Sequence, residues 1–385
     1  MYRTRLIEKV IADASRTFPA IVITGPRQSG KTTLLRQTVP EGSFITLDDP
    51  NFRALLSENP IEYLASLPKP VVIDEIQYMP ELSQILKILI DRDRSPGRWY
   101  VTGSQQFAVM KSISESLAGR AAIISLPTFT YTERPAKRGL LPYLLESSYP
   151  EPMLNKKINQ DLWYSSYLQT YLERDVRALM NIDNLRDFEQ FIRLLASRVA
   201  SQLNYSHIAS DLGLSVPTIK RWISVLEASY IIHLLPPYYK NYGKRIIKAP
   251  KIYFMDPGLV NYLIGIKDDT FLKNGPMAGA IFENAIISEI LKMEYARGIK
   301  PELYYWRSQS GIEIDLLMPI DKKITPFEIK LSSTIKPLFY KNLLYWLDLT
   351  DEDGEGCLIT NCSEKLPLPA KIKNLYWKSY FSREN

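Results

Sequence analysis

The chain has 385 residues, 45% of them hydrophobic and 23% charged, so it is globular and able to build more than one core. Its formal net charge of +6 permits nucleic-acid contact without arguing for it. The two histidines, His207 and His233, leave catalysis to carboxylates, lysines and Mg²⁺-like ions, and the two cysteines, Cys357 and Cys362, offer no zinc site and fit a reducing compartment.

The opening stretch, MYRTRLIEKVIADAS, patterns as an amphipathic helix rather than a signal peptide. No uninterrupted apolar run is long enough to span a bilayer, so a cytoplasmic protein with no membrane partner is expected. AIVIT, Ala20 to Thr24, reads as a short buried strand, and Leu34 and Leu35 begin a helix. Between them Gly25, Gly30, Lys31 and Thr32 fill the pattern G-x-x-x-x-G-K-[ST]. Glycine lets the backbone turn back and approach an anion, and the successive N–H groups of Gly25, Pro26, Arg27, Gln28, Ser29, Gly30, Lys31, Thr32 and Thr33 (all but the proline) form a phosphate nest. Lys31 is expected on the β- and γ-phosphates of ATP and the Thr32 hydroxyl on Mg²⁺.

PVVIDEIQ follows as an apolar run ending in Asp74 and Glu75, the signature of a strand buried on both faces. A carboxylate at the C-terminal edge of such a strand lies beside the phosphate loop. Asp74 is expected in the Mg²⁺ shell, and Glu75 is expected to orient and deprotonate the attacking water. A third strand lies in RWYVTGSQQF, and Ser104 just past its end is a candidate to sense the γ-phosphate. Arg120, Arg174 and Arg177 are candidates for an arginine that reaches that phosphate, and each also fits an ion-paired surface arginine.

Beyond Pro150 the pattern turns helical in DLWYSSYLQTYLERDVRALMNI and LRDFEQFIRLLASRVASQ, which resembles a lid. Tyr205, Ile208, Ala209 and Leu212 then form one helix face, Gly213 suits a C-cap, Ser215 an N-cap and Pro217 a first turn. Ile219, Trp222, Ile223 and Leu226 form a second face. Two short helices on a glycine turn describe a helix-turn-helix, with KIYFMDP as its wing. Thr218, Lys220 and Arg221 would face DNA, or the unit would serve for packing and oligomer contacts.

In the C-terminal part, alternation around Ile314 and Leu316 sets Asp315 on one strand face, and Glu328 and Lys330 share a face of PFEIKL. Glu283 lies on the apolar side of GAIFENAIISEILK, where a lone carboxylate is costly unless paired or metal-bound. Glu283, Asp315 and Glu328 are expected to hold a divalent ion beside Lys330, or Glu283 pairs with Lys330 and the strand acids stay solvated.

Together GPRQSGKTTLL, VVIDEIQYMPEL, VTGSQQF, YLERDVRAL, GLSVPTIKRWISVLEASYIIHLLPPY and WRSQSGIEIDLL…PFEIK resemble a prokaryotic family of AAA-superfamily ATPases with a C-terminal domain of unknown function. The resemblance implies an α/β fold: a P-loop NTPase parallel sheet with an extra strand between the phosphate loop and Asp74–Glu75, a helical lid, a winged helix-turn-helix and an α/β domain similar to PD-(D/E)xK nucleases. The expected domains are 1–150 for the ATPase, 151–200 for the lid, 201–265 for the winged helix and 266–385 for the nuclease-like part. Three functions follow. One is an ATP-hydrolysing switch acting on DNA with a Mg²⁺-dependent nuclease-like domain. Another is an ATP-dependent regulator or assembly factor whose inert C-terminal domain binds a protein partner or a second copy. The third is a defence or toxin-like nuclease gated by ATP.

Overall fold

A computed structural model describes residues 2–39, 41–103, 116–135, 139–171, 185–239, 249–268, 270, 275–350 and 354–382. Ser104, Arg174 and Arg177 lie outside the described residues. Five strands, β1 Ala20–Thr24, β2 Ser43–Thr46, β3 Val71–Asp74, β4 Trp99–Thr102 and β5 Ala121–Ser125, pair in parallel in the order β2-β3-β4-β1-β5. Every residue of β1, β3 and β4 is buried, which is why these strands read as continuous apolar runs. β4 lies between β1 and β3, so the phosphate-loop strand and the Asp74 strand flank it. Helices pack on both faces: Leu82, Leu86, Leu89 and Ile90 of helix Leu82–Arg92 cover one side, and Leu34 and Leu35 of helix Lys31–Thr38 the other.

The N-terminal helix is shorter than the pattern predicts, spanning Glu8–Ala14. The residues before it are drawn across the sheet by polar contacts. Arg3 donates to the carbonyls of Glu133 and Arg134, and Arg5 is buried against Glu133.

A second body of structure begins after residue 139. Helices Leu140–Leu145, Pro150–Leu154, Gln160–Tyr171 and Leu185–Ala196 precede a close helix pair, Tyr205–Leu212 and Val216–Ala228. Gly213 takes the left-handed conformation between the two, at φ 65°, and Ser215 caps the second helix through the Thr218 N–H. Ile219, Trp222, Ile223 and Leu226 are buried as the periodicity predicts, each worth about 1.5–3 kcal/mol of apolar burial. Strands β6 Ile232–Leu235 and β7 Lys251–Phe254 form a two-stranded antiparallel sheet. The KIYF segment expected in the wing is buried at all four residues, and helix Ala278–Ala296 packs beside it.

Five further strands, β8 Tyr304–Arg307, β9 Glu313–Ile320, β10 Lys323–Lys330, β11 Gly356–Thr360 and β12 Ile372–Tyr376, run in the order β12-β11-β10-β9-β8. One continuous core joins the helices after residue 139, the helix pair, helix Ala278–Ala296 and one face of this sheet. The other face packs on helix Lys341–Thr350 through Leu343, Trp346 and Leu347. The expected alternation through Ile314 and Leu316 is not kept. Tyr304 pairs with Leu317 but Trp306 with Ile314, so β9 carries one extra residue there. Ile314 and Leu317 consequently join one core and Leu316 the other, with Asp315 at the kink.

Candidate functional site

The phosphate loop leaves β1 through Gly25 at φ 145° and enters helix Lys31–Thr38 through Gly30 at φ 92°. A Cβ on Gly25 would lie 2.2 Å from the Leu126 carbonyl oxygen, so only glycine fits the close approach of the two backbones. A cleft of about 560 Å³ opens above the loop, lined by Ser29, Lys31, Thr32, Glu75, Phe129 and Glu151 among others. The Lys31 ammonium is buried and donates to the carbonyls of Gly25 and Pro26 at 3.1 and 2.8 Å. Ser29 Oγ is buried with no hydrogen-bond partner among the described residues, a polar atom left facing an incomplete environment.

Asp74 ends β3 between two hydroxyls. Thr32 donates to Oδ2 at 2.8 Å, and Thr102, from the end of β4, donates to Oδ1. Burial pushes the Asp74 carboxyl above its ordinary range, and the Thr102 and Thr32 hydroxyls oppose that rise. Glu75 takes a left-handed conformation, φ 61°, which costs a non-glycine residue about 1 kcal/mol or more. Its N–H donates to Thr102 Oγ1 at 3.0 Å and its carboxylate accepts from Gln77, so the chain turns Glu75 into the cleft. Strand ends, rather than sequence neighbours, thus bring Lys31, Thr32, Asp74 and Glu75 together. Arg120 is not among them. It precedes β5 at the sheet's opposite end and makes two hydrogen bonds, of 2.8 and 2.9 Å, to Asp91.

Sequence reasoning missed three contributors here. Thr102 carries the polar role one strand over from both acids, and the signal was a threonine ending an apolar run. Arg5 donates to the Ser29 carbonyl at 3.0 Å and the Pro127 carbonyl at 2.7 Å while paired with Glu133, which fixes the N-terminal segment against the loop. Tyr230, just past helix Val216–Ala228, places its hydroxyl 3.0 Å from Thr24 Oγ1 and 2.9 Å from Ser125 Oγ. The residue before the phosphate loop therefore touches the end of the helix pair.

On that helix Lys220, Arg221 and Ser224 are exposed. Thr218, expected beside them, is half-buried, and its hydroxyl lies 2.7 Å from Ser215 Oγ in the cap. Lys220 lies 5.7 Å from the centre of the Tyr205 ring.

The C-terminal residues also meet, in an unexpected charge order. Glu283 Oε1 accepts from Lys251 Nζ at 3.1 Å and from the Tyr253 hydroxyl at 2.6 Å, so it pairs with Lys251 rather than with Lys330. Lys251 Nζ also reaches Glu313 at 2.5 Å and Asp315 Oδ1 at 3.9 Å. Lys330 Nζ bridges Asp315 Oδ2 at 2.8 Å and Glu328 Oε2 at 2.5 Å. The strand acids are buried rather than solvated. Burial pushes Asp315 up, but the Lys330 and Lys251 ammoniums beside it carry its carboxyl below the ordinary value. Burial and the neighbouring Asp315 charge push Glu328 up to about 8. Among the described residues no group of three His, Cys, Asp or Glu side chains is placed to hold a metal ion.

Residues 17–134 match the family described as AAA domain, 137–270 a domain of unknown function (DUF8612) and 278–380 another (DUF4143). The uncharacterized proteins Mb2031c of Mycobacterium bovis and Rv2008c of Mycobacterium tuberculosis are each 32% identical over 327 residues, covering 82% of this chain and 71% of theirs. Among solved structures, the Walker-type ATPase PABY2304 of Pyrococcus abyssi overlaps 67% of this chain and 94% of its own, at 16% identity and a TM-score of 0.43. No helix among the described residues is long and apolar enough to cross a membrane. The protein belongs to the same family as these two mycobacterial proteins, and its N-terminal part is an AAA-type P-loop ATPase domain.

Proposed function

We propose that the protein is an ATP-hydrolysing switch that acts on DNA through the helix pair Tyr205–Leu212 and Val216–Ala228. One observation carries the hydrolytic part: Thr32 and Thr102 hold the two oxygens of Asp74 while Glu75 is turned into the cleft. The residues fit a nucleotide with Mg²⁺. Thr32 Oγ1 and Asp74 Oδ2 stand 2.8 Å apart and would hold the ion, and the buried Ser29 hydroxyl lacks a partner among the described residues. Bound Mg²⁺ would supply positive charge to the β- and γ-phosphates. Lys31 would exchange its loop carbonyls for phosphate oxygens, and Glu75 would take the proton of the attacking water. The Tyr230 contacts to Thr24 and Ser125 support a link from the loop to the helix pair.

The DNA part rests on the exposed Lys220 and Arg221. A second reading, a regulator whose C-terminal unit binds a partner and cuts nothing, is favoured by Lys251, which sits among the acids that a nuclease would need for its ion. The test is ATP turnover by the full chain with and without duplex DNA, followed by an electrophoretic shift with the same duplex. Turnover lost in Lys31→Ala and a shifted duplex are the expected results. Turnover retained in Lys31→Ala sinks the hydrolytic reading, and an unshifted duplex sinks the DNA part.

A further inference from the structure

We propose that Lys251 is the resident cation of the C-terminal acid cluster, standing where a divalent ion would have to sit, so that the cluster is an ionic latch between β7 and the C-terminal sheet. This rests on the reading of the C-terminal unit as one that does not cut. The residues present do not fit a divalent ion as they stand. The Lys251 side chain is only 3% exposed, and its Nζ contacts carboxylates from two elements: Glu283 of helix Ala278–Ala296, and Glu313 and Asp315 of β9. Its ammonium also lies 5.8 Å from the centre of the Tyr305 ring, on β8. Tyr253, two residues along β7, donates to the same Glu283 oxygen, so strand periodicity aims two donors of β7 at one acid.

The oxygens of Asp315 and Glu328 are engaged as well. Asp315 Oδ2 accepts from Lys330 and from the Ile329 N–H at 2.9 Å, and Glu328 takes Lys330 on one oxygen and lies 3.4 Å from Asn342 Nδ2 on the other. A divalent ion binds carboxylate oxygens at about 2.0–2.6 Å. To do so here it would have to displace ammonium groups already hydrogen-bonded to those oxygens, while lying next to their charge. The kink in β9 serves this arrangement, because it sets Asp315 where both lysines reach it: Lys251 on Oδ1 and Lys330 on Oδ2. Lys251 comes from the sheet that follows the helix pair, so the latch ties that unit to the C-terminal sheet.

The experiment follows thermal unfolding of the full chain without nucleotide while MnCl₂ is titrated. The wild type, Asp315→Asn, Lys251→Met and the charge-matched pair Lys251→Met with Glu313→Gln are compared. Any ion effect at the phosphate loop is common to all four. Wild type and Asp315→Asn should respond alike to Mn²⁺. Lys251→Met should unfold at lower temperature and gain a stabilisation that grows with the logarithm of Mn²⁺ concentration. The charge-matched pair keeps that arm readable if the single variant does not fold. A wild-type Mn²⁺ response that Asp315→Asn removes overturns the proposal, as does a lysine variant with no added response. Cleavage of a plasmid is scored in parallel. Asp315-dependent cutting sinks the non-cutting reading itself, whereas an Asp315-dependent Mn²⁺ response without cutting sinks the latch alone.

Discussion

The nucleotide cleft and the C-terminal cluster contain the same chemical parts, carboxylates beside a lysine at the ends of strands, and arrange them in opposite ways. In the cleft, Lys31 donates to the carbonyls of Gly25 and Pro26, and the Thr32 and Thr102 hydroxyls donate to Asp74. Phosphates and a metal ion can take over those carbonyl and hydroxyl contacts. In the cluster each lysine is already spent on acids. Residue types at the right spacing therefore do not define a site. What matters is which groups their hydrogen bonds go to: carbonyls and hydroxyls in the cleft, ammonium–carboxylate pairs in the cluster.

The largest effect that would break this contrast is on turnover. Glu75→Gln keeps the shape of the cleft and removes the base, so it should retain ATP but slow hydrolysis by about 10²–10⁴-fold. Single-turnover kinetics alongside nucleotide affinity separate the two. A Glu75→Gln chain that hydrolyses ATP at the parent rate would remove the cleft from the comparison.

The next effect is on stability, and it sets the two aspartates against each other. Asp315→Asn leaves two ammonium groups short of a partner in a buried setting, and breaking a buried pair costs about 3–5 kcal/mol. Asp74→Asn alters two hydroxyl contacts and the attraction of Lys31 and relieves a carboxyl that burial already disfavours, so its cost should stay within about 1 kcal/mol. Denaturant unfolding of both variants reads the difference. Equal losses would show that the charge environment is not what separates the regions. ATP affinity should be untouched by Asp315→Asn.

Much of the cleft is legible in the sequence because its parts follow local rules. The strand before Gly25, the run into Asp74 and the faces of helix Val216–Ala228 each obey a single periodicity. The cluster is only half legible. Glu283, Asp315, Glu328 and Lys330 share a reading by periodicity, but Lys251 lies 32 residues before Glu283 and belongs to a strand that reads as the wing of the helix pair. Pairing over that separation carries no periodic signal. The extra residue in β9 is equally silent, since an alternating pattern reads the same with or without a kink until the partner strand is known. Ser104, two residues after Thr102, carries the same chemistry in the sequence; strand order makes Thr102 the neighbour of Asp74.

A fourth lysine sharpens the comparison through pH. Lys292 is fully buried and bonds Ser148 Oγ at 3.0 Å rather than a carboxylate, and burial lowers its pKa to about 8. Between about 8 and the ordinary value of 10.5, the folded chain has released a proton that the unfolded chain still holds. Stability should therefore rise with pH across that window, by at most about 3 kcal/mol at about 1.4 kcal/mol per unit. Below about 8 both states are protonated and the penalty is fully present. Lys292→Met should flatten this rise, as read from denaturant midpoints on either side of the window. A rise that persists in Lys292→Met would assign it to other groups.

The smallest expected effect lies on the helix pair, where two cations stand on an exposed face. Lys220 and Arg221 are exposed on helix Val216–Ala228, whereas Thr218 is committed to the Ser215 cap. If the two cations meet DNA phosphates, each releases about one counterion, so replacing both with Ala should reduce the log–log salt slope of binding by about two. Thr218→Val should leave that slope alone, because its side chain serves the helix end, and should cost a few tenths to about 1 kcal/mol of stability. Fluorescence anisotropy of a labelled duplex over a salt series measures the slope directly. An unchanged slope in the double variant would mean that this face packs against protein. The helix pair would then side with the cluster, as a surface whose charges answer to its own chain or to a second copy of it.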